Sequence, residues 1–255
     1  MSRSRPPLAV LTLLAGLSPH FAFAQQQQGS QATPWGIGLG VASTRRPYAG
    51  ADNKTLAFPV LSFENQYVKV AGLGVDLKLG SAGPVDFSLR AAYALGAGYK
   101  SGDAPILNGM GDRKGSLWIG PAARWDAGFA KVSFEVLADA LRKSDGLEAR
   151  LGIEHDFRAG SVMFTPHAAA EFVDRKYVDY YYGVPVAQAT PNRPAYDGKS
   201  TVNLDAGLRS AFLFDRANSV FLDLGAKALG KGITESPLVD RKVTPGAALG
   251  YLHRF

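Results

Sequence analysis

The sequence predicts an all-β protein, a transmembrane antiparallel up-and-down β-barrel. Apolar and polar residues alternate along runs of about ten residues, a length that suits tilted membrane-crossing strands better than globular strands. The connections between these runs alternate between short and long. Beyond residue 24 the sequence has no run of about 18 uncharged apolar residues of the kind that a spanning helix requires.

The composition agrees with this class. The 255 residues include 29 Gly, 10 Tyr and 14 Phe, with a hydrophobic content of 46% and a mean hydropathy of -0.04. The chain has no Cys, which excludes a disulfide scaffold, a thiolate metal site and a cysteine nucleophile. The formal net charge is +6 without a basic run, so we predict no nucleic-acid binding.

The N-terminus has the layout of a secretory signal peptide. Arg3 and Arg5 precede the apolar segment Leu8–Leu17, and the small-residue end Ala22-Phe23-Ala24 follows. We predict a signal peptide at 1–24, a polar lead-in at 25–34 and a single barrel domain at 35–255. The mature chain would begin at Gln25 and be located in the outer membrane.

The alternation predicts which face of each strand meets lipid. In the run from Val202 to Phe214, apolar residues share one phase with Leu204 and Leu208, while Asn203, Asp205 and Arg209 share the other. We expect Leu204, Leu208, Leu222 and Leu224 to face hydrocarbon and the opposite phase to face the lumen. Short connections fall at 126–130, 158–161 and 215–219, and long ones at 100–115, 174–199 and 231–244. A soluble sandwich also alternates, but this asymmetry is typical of periplasmic turns and extracellular loops.

The number of strands depends on one position near the N-terminus. Eleven alternating runs are readable, whereas a bacterial single-chain barrel has an even number. The apolar phase flips at Ala71-Gly72, where a glycine bulge would keep one strand and a tight turn would make two. The turn gives twelve strands, which we favour. Ten is the alternative if Trp35–Thr44 does not span.

Charged residues of both signs occupy the predicted lumenal phase. They predict either a packed network of ion pairs, which we favour, or the lining of a narrow channel, because twelve strands lie between a filled barrel and a wide pore. The candidate lumen network consists of Arg90, Arg124, Glu135, Asp139, Glu148, Arg150, Glu154, Glu171, Asp205, Arg209 and Asp223.

The longest predicted loop, Asp174 to Lys199, is rich in tyrosine and is predicted to be extracellular. Tyrosine and arginine are enriched at recognition surfaces, but clustered tyrosines also form membrane girdles or plug a lumen. All three arrangements stay open for this loop. The candidate recognition residues are Tyr177, Tyr180, Tyr181, Tyr182, Arg193 and Tyr196.

We predict no enzyme and no cofactor. The histidines lack metal-ligand spacing, and the acidic residues form no calcium-loop pattern. His167 shares a phase with Thr165 and Glu171, which would suit acid–base chemistry, but the sequence presents no compact Ser-His-acid set.

Several motifs identify a family resemblance. They include Trp35-Gly36-Ile37-Gly38-Leu39-Gly40, Arg46-Pro47-Tyr48-Ala49-Gly50-Ala51-Asp52, Asp179-Tyr180-Tyr181-Tyr182-Gly183-Val184, Pro194-Ala195-Tyr196, Glu235-Ser236-Pro237-Leu238-Val239 and a closing strand that ends in Phe255. With these motifs the mature chain resembles the MipA/OmpV family of outer-membrane barrels. The resemblance implies a scaffold that joins a lytic transglycosylase to a penicillin-binding protein, in contact with outer-membrane lipid and lipopolysaccharide. The alternative function is a small diffusion channel.

Overall fold

The computed structural model describes residues 35–255, so the predicted signal peptide and lead-in lie outside the described residues. Within this range the chain forms thirteen β segments and two α-helices. The segments are β1 Trp35–Thr44, β2 Lys54–Glu64, β3 Val68–Ala71, β4 Gly74–Ala82, β5 Val85–Tyr93, β6 Leu117–Asp126, β7 Lys131–Asp139, β8 Leu147–Glu154, β9 Phe157–Ala159, β10 Val162–Val173, β11 Thr201–Leu213, β12 Asn218–Ala228 and β13 Val243–Arg254; the helices are α1 Arg175–Tyr182 and α2 Lys231–Thr234.

The segments close into a twelve-stranded antiparallel barrel. Segments β8 and β9 both pair with β10 and are separated only by His155 and Asp156, so they form one strand of the wall. Every strand pairs with its sequence neighbour, and β13 pairs with β1 to close the circle. This confirms the predicted class and the preferred strand number.

A hairpin turn at Gly72 resolves the phase change near the N-terminus. Gly72 has a φ of 60°, in the left-handed region that glycine adopts readily. Val70 pairs with Val75 across the hairpin, and Val68 pairs with Leu77, so both apolar phases lie on the same face of the sheet. The turn therefore adds a strand, but β3 has only four residues and the hairpin is short.

The outer surface carries the apolar band that a membrane requires. Leu204, Leu208, Leu222 and Leu224 are exposed on the outside of the barrel. Exposed aromatic residues gather at the end where the short turns lie, as expected for an interfacial girdle. This belt includes Trp35, Tyr67, Trp125, Phe129, Phe157, Phe212, Phe214, Tyr251 and Phe255. Neither helix of the described residues is long and apolar enough to cross a membrane.

The inner surface is divided into an apolar sector and a charged sector. The apolar sector consists of Ala42, Phe58, Val60, Phe221, Ala248 and Leu252, from β1, β2, β12 and β13. Gly40 and Gly250 pair across β1 and β13, and the Phe58 and Phe221 rings lie directly over them. A side chain at either glycine would displace a ring, which explains glycine at these two positions. Charged residues dominate the remainder of the lumen.

Candidate functional site

Four long loops pack into a cap over one mouth of the barrel. We define the cap as residues 45–53, 94–116, 174–200 and 229–242. All four loops contribute to one buried apolar cluster, which has Leu107 at its centre with no exposed surface. The cluster consists of Tyr48, Ala51, Tyr99, Ala104, Leu107, Met110, Val184 and Leu238. Because the loops share this core, they form one packed layer.

Helix α1 places tyrosines at the lumenal side of the cap. Asp174 precedes the helix and its carboxylate accepts a hydrogen bond of 2.9 Å from the Tyr177 amide, which is an N-cap. Tyr177 and Tyr181 are four residues apart and therefore share a helix face, with ring centroids 4.8 Å apart. The Tyr177 ring also lies 5.7 Å from the inward-facing Trp118 of β6. The helix thus seals the mouth with aromatic rings.

Arg193 joins two loops of the cap. Its side chain is buried, with 4% exposure, and its guanidinium donates hydrogen bonds of 2.6, 2.8 and 2.7 Å to the carbonyls of Ile106, Asn108 and Gln188. Hydrogen bonds from a charged donor are stronger than those between neutral groups. Arg193 therefore fastens the 174–200 loop to the 94–116 loop.

Further contacts connect the remaining loops. The Tyr48 hydroxyl donates to the Tyr181 carbonyl at 3.2 Å, and the Tyr196 hydroxyl donates to the Gly232 carbonyl at 2.8 Å. The Arg113 side chain donates to the Tyr180 carbonyl at 2.7 Å. These bonds bring residues far apart in sequence into one assembly.

Burial and ion pairing perturb the pKa values of several cap residues. Burial raises the pKa of Tyr48 and of Tyr177 well above their ordinary values, so both hydroxyls stay protonated and Tyr48 remains a donor to the Tyr181 carbonyl. For Asp103, burial alone would raise the pKa. Hydrogen bonds from the Lys100 amide and the Arg46 guanidinium outweigh that effect, and the net result is a lowered pKa. The Arg46–Asp103 ion pair, at 2.6 Å, therefore joins two loops at neutral pH.

The six candidate recognition residues all lie within the cap. Tyr177, Tyr181 and Tyr182 face the cavity beneath the cap, whereas Tyr180 and Tyr196 contact other loops of the cap. Tyr181, with 2% exposure, and Arg193 are buried, and the other four residues are half-buried. The outward surface of the same loop is formed by other residues, among them Val186 and Asn192.

The upper part of the lumen contains a connected network of ion pairs. Arg150 of β8 reaches past β10 to make two hydrogen bonds of 2.7 Å with Asp205 of β11. Glu171 of β10 accepts hydrogen bonds of 3.0 Å from Lys227 and 2.8 Å from Asn203. Arg150 also lies 3.8 Å from Glu171, which joins the two groups.

The lower part of the lumen has separate ion pairs, some between neighbouring strands and some across an intervening strand. Arg90 contacts Asp76 and Glu135, each at 3.1 Å. Arg124 contacts Glu154 at 2.5 Å. Arg209 contacts Asp223 at 3.0 Å, and His167 lies 3.8 Å from the same carboxylate.

Two candidate network residues have other surroundings. Asp139 lies at the rim, where its carboxylate accepts hydrogen bonds from the Ser116 and Ser144 hydroxyls. Glu148 lines the cavity beneath the cap. The structure adds Asp76 and Lys227 to the network; both have the lumenal phase of their strands, which is the sequence signal for them.

Two adjacent cavities occupy the lumen. The upper one, about 230 Å³, lies beneath the cap, and the lower one, about 480 Å³, lies toward the short turns. They share Arg90, Arg124 and Ser133 as lining residues. Nine basic and five acidic side chains line the upper cavity, which gives it a basic excess. No group of three or more His, Asp or Glu residues suited to a metal ion occurs within residues 35–255.

Comparisons with known proteins place this barrel in a family. "Putative outer membrane protein YiaT" of Escherichia coli K12 is 25% identical over 228 residues, which cover 88% of this chain and 92% of that protein. "Outer membrane protein Omp26La" of Vibrio anguillarum is 27% identical over 150 residues, 58% of each chain. Among solved structures, an outer membrane channel from Pseudomonas putida has 12% identity and a TM-score of 0.44, covering 91% of this chain and 100% of its own.

The family profile extends over nearly the whole described barrel. The profile described as "MltA-interacting protein MipA" matches residues 37–255. This range contains every strand of the wall and all four loops of the cap. The chain therefore belongs to the MipA family of outer-membrane β-barrel proteins.

Proposed function

We propose that this protein is an occluded outer-membrane barrel that acts as an adaptor, docking a murein enzyme at its periplasmic surface. The observation that supports this proposal is the cap, whose shared apolar core and buried Arg193 lie across the mouth at the long-loop end. Ion pairs such as Arg150–Asp205 also lie along the lumenal wall beneath it. A barrel whose lumen is closed in this way is better suited to binding a partner at its surface than to conducting solutes.

The family description suggests the class of partner. Its printed name contains "MltA-interacting protein", and for this chain we propose a lytic transglycosylase of that kind. A penicillin-binding protein is the second proposed partner. Outer-membrane lipid and lipopolysaccharide would surround the apolar band and the loop surface, respectively.

The periplasmic turns are the proposed docking surface. They comprise 65–67, 83–84, 127–130, 160–161 and 214–217, and they lie at the same end as Phe255. Phe129 in the third of these turns has 73% exposure, so it is available as an aromatic anchor. Substitution of Phe129 is therefore the first variant to examine.

The test measures binding of a purified lytic transglycosylase to the barrel in lipid nanodiscs. We expect saturable binding that Phe129→Ser weakens about tenfold or more, the effect of losing an interface hot spot. The matched control is Asn192→Ser on the exposed surface of the cap, which should leave binding unchanged. Absence of binding, or loss of binding with the cap variant alone, would contradict the proposed docking surface.

The proposal requires the cap to face outward, which cysteine labelling can establish. The chain contains no Cys, so a single introduced thiol is a clean probe. A cysteine at Asn192 in the cap should react with a membrane-impermeant maleimide on intact cells. A cysteine at Arg216 in a short turn should react only after the outer membrane is breached, and the reverse pattern would overturn the orientation.

A narrow channel is the second candidate function. The observation that favours it is the adjacency of the two cavities, which share Arg90 and Arg124 as lining residues. Opening of the cap would then connect the cell exterior to the lower cavity. Conductance measurements distinguish this candidate from the occluded adaptor.

A further inference from the structure

The barrel wall has a gap between β2 and β5. Hairpin β3–β4 pairs with β2 only over Ser62–Glu64, so Lys54–Leu61 has no strand partner on that side. On the other side of the hairpin, β4 pairs with β5 from its first residue, Gly74, opposite Ala92. The upper half of the wall between β2 and β5 is therefore left without strands among the described residues.

The gap lies within the apolar band of the barrel. On the β2 side, Leu61 and the neighbouring Leu39 and Val41 of β1 are exposed on the outer surface. On the β5 side, Tyr93 follows the last residue paired with the hairpin and is exposed in the same way. Hydrocarbon would therefore border both edges of the gap.

The sequence of β2 suits a free edge at this depth. The Leu61 carbonyl accepts a hydrogen bond of 2.8 Å from the Gly72 amide, which shows that residues of this parity direct their backbone groups toward the hairpin side. Pro59 has the same parity and lies above the last paired residue. Proline has no amide hydrogen, so it removes one donor that would otherwise face the gap unpaired.

Behind the gap lies an apolar pocket. Leu56 and Phe58 of β2, Leu73 at the tip of the hairpin and Leu95 after β5 all pack in one cluster. Phe58, Leu73 and Leu95 also line the cavity of about 230 Å³ beneath the cap. The cavity therefore reaches the wall at the gap through an apolar surface.

A lysine occupies the upper end of this pocket. Lys54 begins β2 and lines the same cavity, and its ammonium group is 3.4 Å from the Gly96 carbonyl. Among the described residues, no carboxylate lies within 4.0 Å of it. A cation without a carboxylate partner, in a cavity with more basic than acidic side chains, favours an anionic ligand.

We propose that the gap is a lateral binding site for an amphiphile with one acyl chain and an anionic head group, taken up from the bilayer. The acyl chain lies between the β2 edge and the hairpin tip, against Leu56, Leu73 and Leu95. The head group is bound by Lys54 at the outer end of β2. The acyl chain of the amphiphile replaces its contacts with lipid hydrocarbon by contacts with apolar side chains, and the head group gives Lys54 an anionic partner.

The test uses a fluorescent reporter at the hairpin tip. A bimane-labelled cysteine at Leu73, in zwitterionic nanodiscs, is titrated with dodecyl phosphate. We expect a saturable change in emission. The matched control is a bimane-labelled cysteine at Leu89, which faces lipid on the neighbouring β5. It should show only the gradual change that accompanies partitioning of the amphiphile into the bilayer.

The contribution of the head group is measured with the same reporter. Lys54→Gln should weaken binding of dodecyl phosphate about tenfold, the factor of one charge-assisted hydrogen bond. Lys176→Gln, an exposed cation on α1, should leave binding unchanged. Uncharged dodecanol should bind the parent protein about as weakly as dodecyl phosphate binds the Lys54→Gln variant.

Three results would overturn the proposal. The reporters at Leu73 and Leu89 could respond alike, which would indicate bilayer partitioning alone. Lys54→Gln could bind dodecyl phosphate as tightly as the parent. Finally, a cysteine at Thr55 could cross-link two barrels in nanodiscs, which would show that a second copy covers the β2 edge.

Discussion

Replacing Arg193 with methionine tests how the cap is held together. The substitution keeps an unbranched apolar stem but removes the guanidinium and its three hydrogen bonds to carbonyl oxygens. Each bond from a charged donor contributes roughly 1.5–3 kcal/mol. Once the loops separate, the carbonyls form hydrogen bonds with water, which recovers part of this free energy. We therefore expect the cap to lose about 3–5 kcal/mol of stability against opening, less than the sum of the three bonds.

The assay follows reaction of a buried thiol with maleimide. Met110 has 3% exposure in the core of the cap, so a cysteine placed there reacts only when the cap opens. A loss of 3–5 kcal/mol should accelerate labelling by about 10²- to 4 × 10³-fold, because each 1.4 kcal/mol is a factor of ten. Arg175→Met, an exposed position at the start of α1, is the control and should leave the rate unchanged. Equal rates for Arg193→Met and the parent would refute the proposed role of Arg193.

Three further predictions concern the wall, the lumen and pH. Leu208→Arg places a charge on the lipid-facing surface and should lower the free energy of unfolding in lipid by about 2–4 kcal/mol. Ala122→Arg, in the lower cavity, should lower it clearly less, and equal losses for the two variants would contradict the assignment of faces. Asp205→Asn should cost about 3–5 kcal/mol in urea unfolding because Arg150 loses its bidentate partner, and Arg150→Met combined with Asp205→Leu should recover most of this loss. Because the pKa of Asp103 is lowered in the folded protein, its contribution to the stability of the cap is fully present above its unfolded-state pKa and is lost as the pH falls through the lower folded-state pKa. Near-ultraviolet circular dichroism of the cap tyrosines should report this loss as a step, and Asp103→Asn should remove that step.

One expectation from the alternation pattern is changed by the structure. Asn203 and Asp223 face the lumen as predicted, and a charge there would be expected to cost little. Both are buried, however, and Asn203 donates to Glu171 while Asp223 pairs with Arg209. Arginine at either position would break one of these contacts. The low-cost lumenal positions are those that line the lower cavity, such as Ala122.

Strand positions followed from the sequence because alternation is a local signal. Trp35–Thr44 has its predicted bounds, and the run predicted from Val202 to Phe214 is observed at Thr201–Leu213. The change at Gly72 could not be decided locally, since a bulge and a turn reverse the phase equally. Only the pairing of Val70 with Val75 distinguishes them.

The arrangement of the lumen and the cap depends on contacts that sequence order does not contain. Arg150 reaches Asp205 across an intervening strand, so neighbouring strand pairs alone do not predict this ion pair. The sequence predicts a loop from Asp174 to Lys199, but this segment contains α1. Asp174 followed by Tyr177, Val178 and Tyr181 is the local signal for this helix, because it combines an N-cap residue with apolar residues at helical spacing.

The claim of an occluded lumen is tested most directly by single-channel recording of the purified barrel in planar bilayers. We predict no reproducible conductance steps from the parent protein, because the cap and the ion pairs beneath it close the aqueous path. Arg193→Met should introduce intermittent openings as the cap loosens. Regular, long-lived steps from the parent protein at neutral pH would contradict the occluded state and favour the channel.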